Sequence, residues 1–159
     1  LSPASWLRKQ AQMVKDAGVK PELECFDTGH VSFAKQMIEE GLIDGDPMFQ
    51  FCLGIPWGAE NDPETIEYLK SRIPENAHWS AFGIGKMLLP TVREVAQRGG
   101  NVRVGLEDNI YLRKGVKATN EALVEEAKRI LAELDIEPLT PAEAREKFNL
   151  RNPHGKGDK

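Results

Sequence analysis

Between residues 101 and 109 the chain places one guanidinium and two adjacent carboxylates, Arg103, Glu107 and Asp108. Neighbouring carboxylates repel unless a cation or a shared proton relieves them, so Glu107-Asp108 points to a bound metal. The stretch begins as a strand: Val102 and Val104 are β-branched and follow the turn signal Gly99-Gly100. Strand alternation gives Arg103, Gly105 and Glu107 one face and Val102, Val104 and Leu106 the other. If the strand runs straight through, the Cα atoms of Arg103 and Glu107 are roughly 13 Å apart. Arg103 is then deep, Glu107 sits at the C-terminal rim, and Gly105 leaves room between them. The competing reading is an Arg–Glu ion pair in the interior with no catalytic role.

Other chemistry-bearing residues are more scattered. Glu22 and Glu24 share a strand face, opposite Leu23 and Cys25. They either point into the interior, where Glu24 could take a cationic or hydroxylated substrate group, or lie on an exposed strand end. His30, His78 and His154 have no zinc-motif spacing, and each reads as structural. Gly83-Ile84-Gly85-Lys86 follows a strand and precedes a helix, where glycines let backbone N–H groups approach a phosphate. A simple tight turn accounts for it equally well. Lys86 also raises a Schiff-base aldolase, against the ordinary reading of a solvated loop lysine. Cys25 and Cys52 fall in apolar runs without C-x-x-C spacing and read as buried free thiols of a reducing compartment, the cytoplasm.

The elements that must position these residues alternate regularly. Ser2-Pro3 opens a helix to about Asp16, with Trp6, Leu7, Met13 and Val14 for its buried stripe. A strand over 19–27, a loop at Thr28-Gly29-His30 and a helix over 32–42 follow. The strand 48–55 is apolar except for Gln50. Asp62-Pro63 caps a helix ending before Pro74, and the strand 77–83 leads to a helix over 87–98. After the strand carrying Arg103, Thr119 or Asn120 caps a helix to Leu134 whose apolar face includes Leu123, Ala127, Ile130 and Leu131. Thr140-Pro141-Ala142-Glu143 is a capping box opening a short last helix. Strands separated by helices predict an α/β fold with a parallel sheet covered on both faces. Four strand–helix units make either a small doubly wound sheet or half of an eight-stranded barrel, which takes roughly 250 residues.

With 159 residues, 40% hydrophobic and 29% charged, the chain has the composition of a soluble single domain. A formal net charge of −4 argues against nucleic acid or an anionic membrane as partner, and no apolar run approaches the roughly 20 residues of a spanning helix. Leu1-Ser2-Pro3-Ala4 has neither an initiator Met nor a signal-peptide pattern, so the chain is expected to be the later part of something longer.

The run Val102-Arg-Val-Gly-Leu-Glu-Asp-Asn109, continuing into Gly115-Val-Lys-Ala-Thr-Asn120, resembles the C-terminal signature of the β-keto acid cleavage enzymes of the 3-keto-5-aminohexanoate cleavage type. Lys20-Pro-Glu-Leu-Glu-Cys-Phe-Asp-Thr-Gly-His30 and Trp79-Ser-Ala-Phe-Gly-Ile-Gly85 resemble two further strand ends of that family. The resemblance implies a zinc-dependent (β/α)₈ TIM barrel that converts a β-keto acid and acetyl-CoA to acetoacetate and a new acyl-CoA. By residue match it implies Glu107 as the carboxylate zinc ligand, Asp108 as general base and Arg103 as the residue that positions it. It also implies substrate contacts at Glu24 and the Gly83–Gly85 strand end. The family's zinc-binding histidines lie near its N-terminus, and nothing here matches them. Residues 1–150 are therefore expected to be the C-terminal half of one barrel domain and 151–159 a flexible polar tail. The N-terminal half is expected to be absent, the zinc incomplete, and the complete enzyme a homo-oligomer. The alternatives are a non-catalytic half-barrel that self-associates through open strand edges and the Schiff-base aldolase at Lys86.

Overall fold

A computed structural model of the chain describes residues 3–150. The expected N-cap Ser2, His154 and the tail 151–159 lie outside the described residues. The elements follow in the order α1 (Ala4–Asp16), β1 (Glu22–Cys25), α2 (Thr28–Glu39), β2 (Met48–Leu53), α3 (Pro63–Arg72), β3 (His78–Gly83), a 3₁₀ turn (Gly85–Met87), α4 (Leu88–Gln97) and β4 (Asn101–Val102). Then come a small hairpin, β5 (Tyr111–Arg113) and β6 (Val116–Lys117), and the helices α5 (Asn120–Ala132) and α6 (Pro141–Lys147).

Short polar side chains cap α2, α3, α5 and α6. Asp62 accepts from the Thr65 N–H at 2.8 Å with Pro63 in the first turn, and Thr119 accepts from the Ala122 N–H at 3.1 Å. Thr140 and Glu143 form the reciprocal capping box. The expected loop at Thr28-Gly29-His30 is instead the first turn of α2. Asp27 Oδ1 accepts from the N–H groups of Gly29 and His30 at 2.7 and 3.0 Å, which satisfies the helix start despite the glycine.

Strands β1 to β4 form one parallel sheet in sequential order. Right-handed crossovers between sequential neighbours carry every connecting helix to the same side. One core records this: Val31 and Ala34 of α2, Ile66 and Leu69 of α3 and Val95 of α4 pack with Cys25, Phe49, Phe51, Trp79 and Ala81. The expectation of a sheet covered by helices on both faces is therefore corrected. By strand alternation the opposite face carries Glu22, Glu24, Gln50 and Ser80, with Cys52 and Phe82 nearer the strands' C-terminal ends. Sequential order with helices on one side is the winding of part of a barrel, whereas a doubly wound sheet reverses its strand order.

Three further expectations change. The fourth strand is two residues long, because the chain turns at Gly105, whose carbonyl accepts from the N–H groups of Asp108 and Asn109. The hairpin β5–β6 was not foreseen; it turns at Lys114-Gly115, where Gly115 has φ +78°. Helix α1 buries no residue, and Trp6 and Met13 are 44% and 57% exposed. Its Leu7 and Val14 instead border an open groove of about 510 Å³ beside Leu23 of β1, and the ion pairs Arg8–Glu40 and Lys15–Asp44 tether it.

Both cysteines are free and buried. Burial, with Asp27 and Glu24 adding, pushes the Cys25 thiol up to about 12. Burial, with Glu24 and Asp108 adding against Arg103, pushes that of Cys52 up to about 11. An unfolded thiol ionises near 9, so the folded state holds these protons where the unfolded chain would release them. Their contribution to stability is full below about pH 9 and is lost as pH rises toward the folded values. Urea titrations across that window are expected to show stability falling with pH, and falling less steeply in Cys25→Ala.

Candidate active site

Arg103 stands just past the last residue of β4 and lies over the polar face of the sheet. Its guanidinium sits 4.2 Å above the Phe82 ring centroid, a cation–π contact that fixes its plane. From there it grips Asp108 with two bonds, Nε to Oδ2 at 2.9 Å and Nη2 to Oδ1 at 3.1 Å. Nη2 also donates to Glu107 Oε2 at 2.7 Å, and Nη1 donates to Gln50 Oε1 at 2.6 Å and lies 3.6 Å from Glu24 Oε1. Gln50 passes the network on by donating to Glu22 Oε1 at 2.8 Å. Desolvation works against the Arg103 charge, but Asp108, Glu107 and Glu24 together outweigh it and its pKa is raised. Burial pushes the Glu22 carboxyl upward from its ordinary value, against Arg103 and with Glu24.

The two adjacent carboxylates have opposite surroundings. The Asp108 side chain is 3% exposed and that of Glu107 84%. The turn at Gly105 brings Glu107 back over Arg103, so the expected separation along a straight strand is replaced by a direct ion pair. Asp108 is a buried acceptor held in one orientation. Glu107 is an exposed acceptor with Oε1 outside any hydrogen bond among the described residues.

The surrounding turns hold Asp108 in place. Its carbonyl accepts from the Gly85 N–H at 2.7 Å, so Gly85 braces the Asp108 turn. Gly83 is small for a packing reason, since a Cβ there would come within 2.2 Å of Asn61 Nδ2 and 2.5 Å of Thr91 Oγ1. Asn109 clamps the chain with its side chain, which donates to the Tyr111 carbonyl and accepts from the Tyr111 N–H. Asn120, at the start of α5, accepts from the Leu106 N–H at 2.9 Å. Arg103, Glu107, Asp108 and Glu24 thus come together, and Gly85 contacts them through the backbone.

Sequence reasoning missed Gln50, Asn109 and Asn120 as members of this site. The signal for Gln50 was present: it is the polar exception in an apolar strand, it is buried, and it links Glu22 to Arg103.

The histidines stand apart. His30 Nδ1 accepts from the Phe26 N–H at 3.2 Å, and its ring meets that of Phe26 edge-on. His78 lies at the start of β3 against Phe148. Among the described residues no three His, Cys, Asp or Glu side chains cluster as a metal site. Glu107 is the most exposed carboxylate of the Arg103 cluster, and one such donor does not hold zinc.

Residues 1–150 match the family model described as beta-keto acid cleavage enzyme. The chain is similar to a 3-dehydrocarnitine:acetyl-CoA trimethylamine transferase of Rhizobium meliloti, at 45% identity over 146 residues, covering 92% of this chain and 49% of the relative. It is similar at 34% identity over 146 residues to a 3-keto-5-aminohexanoate cleavage enzyme of Fusobacterium nucleatum, covering 91% and 53%. A 3-oxoadipate:acetyl-CoA acetyltransferase of Cupriavidus necator is 34% identical over 149 residues, covering 91% and 51%. The chain therefore spans about half the length of the curated relatives it matches.

The grip of Arg103 on Asp108 has a direct consequence for stability. Arg103→Met is expected to cost about 3 kcal/mol in urea denaturation, because it leaves the Asp108 carboxylate buried without a partner. Adding Asp108→Leu is expected to restore much of that loss, since no uncompensated charge then remains.

Proposed function

Because the chain belongs to the β-keto acid cleavage enzyme family, we propose that it supplies the general base, its positioning arginine and one zinc ligand of such an enzyme. The complete enzyme would convert a β-keto acid and acetyl-CoA to acetoacetate and a new acyl-CoA. The acyl group of the keto acid passes to CoA, and the acetyl group takes over its carboxymethyl carbon. The observation that carries this reading is the two-bonded grip of half-buried Arg103 on buried Asp108 at the C-terminal side of a parallel sheet, where barrel enzymes place their chemistry.

In this reading Asp108 removes the proton between the two carbonyl carbons of the keto acid. Arg103 fixes both oxygens of that carboxylate in one orientation, as a positioned base requires. Glu24, near the guanidinium and facing the same side, meets the substrate's side chain; Gly83 and Gly85 shape the adjoining strand end. Glu107, outermost of the group, is this chain's ligand to zinc. When bound, the ion supplies Lewis-acid polarisation of the keto oxygen. The remaining ligands would come from the part of the relatives that lies outside these residues, and that part would also cover the open edges of β1 and β4. Acting in a homo-oligomer is part of the same proposal.

Two measurements test it. In the complete enzyme, Asp108→Asn is expected to lower turnover at least ~100-fold, the usual worth of a general base, with substrate binding retained. Zinc bound per chain, measured by elemental analysis, is expected to be near stoichiometric in the complete enzyme and lost in Glu107→Ala. Unchanged turnover in the first variant would remove Asp108 from the chemistry, and unchanged zinc in the second would remove Glu107 from the ligand set.

A further inference from the structure

A second concavity adjoins the site and is built differently. It is a groove of about 640 Å³ between the turn after β3 and the β5–β6 hairpin. Its cationic lining is Lys86, Arg113 and Lys114, and its apolar lining is Leu89, Tyr111 and Leu112. Asn109 forms one wall, one residue from Asp108. The groove is held to the site by the Gly85–Asp108 backbone bond and the Asn109 clamp on Tyr111.

The charges are poorly matched to the rest of the chain. Its formal net charge is −4, yet three cations converge on this one groove. Lys86, Arg113 and Lys114 form no ion pair among the described residues. Glu126, whose carboxyl is lowered chiefly by Arg129 and in smaller part by Arg113, is already bound by Arg129 at 2.6 and 3.0 Å. The hairpin places Lys114 at its tip, and Tyr111 is 45% exposed, leaving ring surface for a planar group.

We propose that this groove binds the phosphorylated adenosine end of coenzyme A. This rests on the reading that the enzyme uses acetyl-CoA. That end of the cofactor carries a diphosphate and a 3′-phosphate next to a flat base, so it asks for cations beside apolar and aromatic surface. The groove presents that combination, and its Asn109 wall lets a bound thioester arm run toward Asp108. Lys86 and the hairpin thereby have a role in holding the co-substrate rather than in covalent catalysis.

The test is a calorimetric titration of the chain with adenosine 3′,5′-bisphosphate, CoA and pantetheine. The expected result is binding of the bisphosphate and of CoA, weakened by added salt. In Lys86→Glu/Lys114→Glu, both affinities are expected to fall at least ~10-fold, with pantetheine binding and the melting temperature unchanged; both side chains are exposed, so folding is not at stake. Equal CoA affinity in the variant and the parent chain would place the nucleotide elsewhere and overturn the groove, leaving the co-substrate reading intact. Failure of the parent chain to bind either nucleotide would also overturn it. The co-substrate reading is judged separately, by turnover of acetyl-CoA in the complete enzyme. Binding of the bisphosphate without such turnover would keep the anion site and remove its assignment to CoA.

Discussion

The site depends on one half-buried guanidinium. Arg103 sits above Phe82 and is bonded to Asp108, Glu107 and Gln50, with Glu24 within ion-pairing distance. Three carboxylates crowding one place would repel each other, and a fixed planar cation turns that repulsion into order. A lysine ammonium could not serve in the same way, because the bidentate hold on Asp108 requires the planar fork. The short β4, the turn at Gly105 and the brace from Gly85 all act to bring Asp108 to that fork.

The sheet explains why such a cluster can exist in a small α/β unit. Sequential strands leave their helices on one side, so the apolar demands of packing are met there by Phe49, Phe51, Trp79 and Ala81. The other side is then open to polar residues, and Gln50 and Ser80 occupy buried positions that an apolar interior would not accept. At the C-terminal ends of the strands the chain leaves the sheet through turns, where backbone and side-chain bonds hold the acidic residues in fixed positions.

Much of this was legible in the residues. Alternation separated Arg103 from Val102 and Val104, and the caps Asp62, Thr119 and Thr140 marked three helix starts. The alternation of four strands with helices followed from the spacing of apolar runs. What could not be read was set by long-range geometry. The identical apolar appearance of β2 on both faces hid the one-sided placement of the helices, which depends on crossover direction. Gly105 looked like room on a strand and is a turn, so the Arg103–Glu107 pair was misjudged as extended. Asp27 was a capping residue in plain view, masked by Gly29 two positions later. The basic hairpin had no signal beyond Lys114-Gly115, and its place beside Asp108 depends on the Asn109 clamp. Membership of the site by Gln50 required the register with β1 and the reach of Arg103.

The alternation within β2 has a consequence for how such a protein can change over time. Phe49, Phe51 and Leu53 answer to the helices, while Gln50, interleaved with them, answers to Arg103 and Glu22 on the opposite face. A substitution at Gln50 alters the chemistry a ligand meets and leaves the core shared with α2, α3 and α4 untouched. One at Phe49, Phe51 or Leu53 does the reverse. Neighbouring codons are therefore under nearly independent selection, and a lineage can drift among substrates without first rebuilding its core.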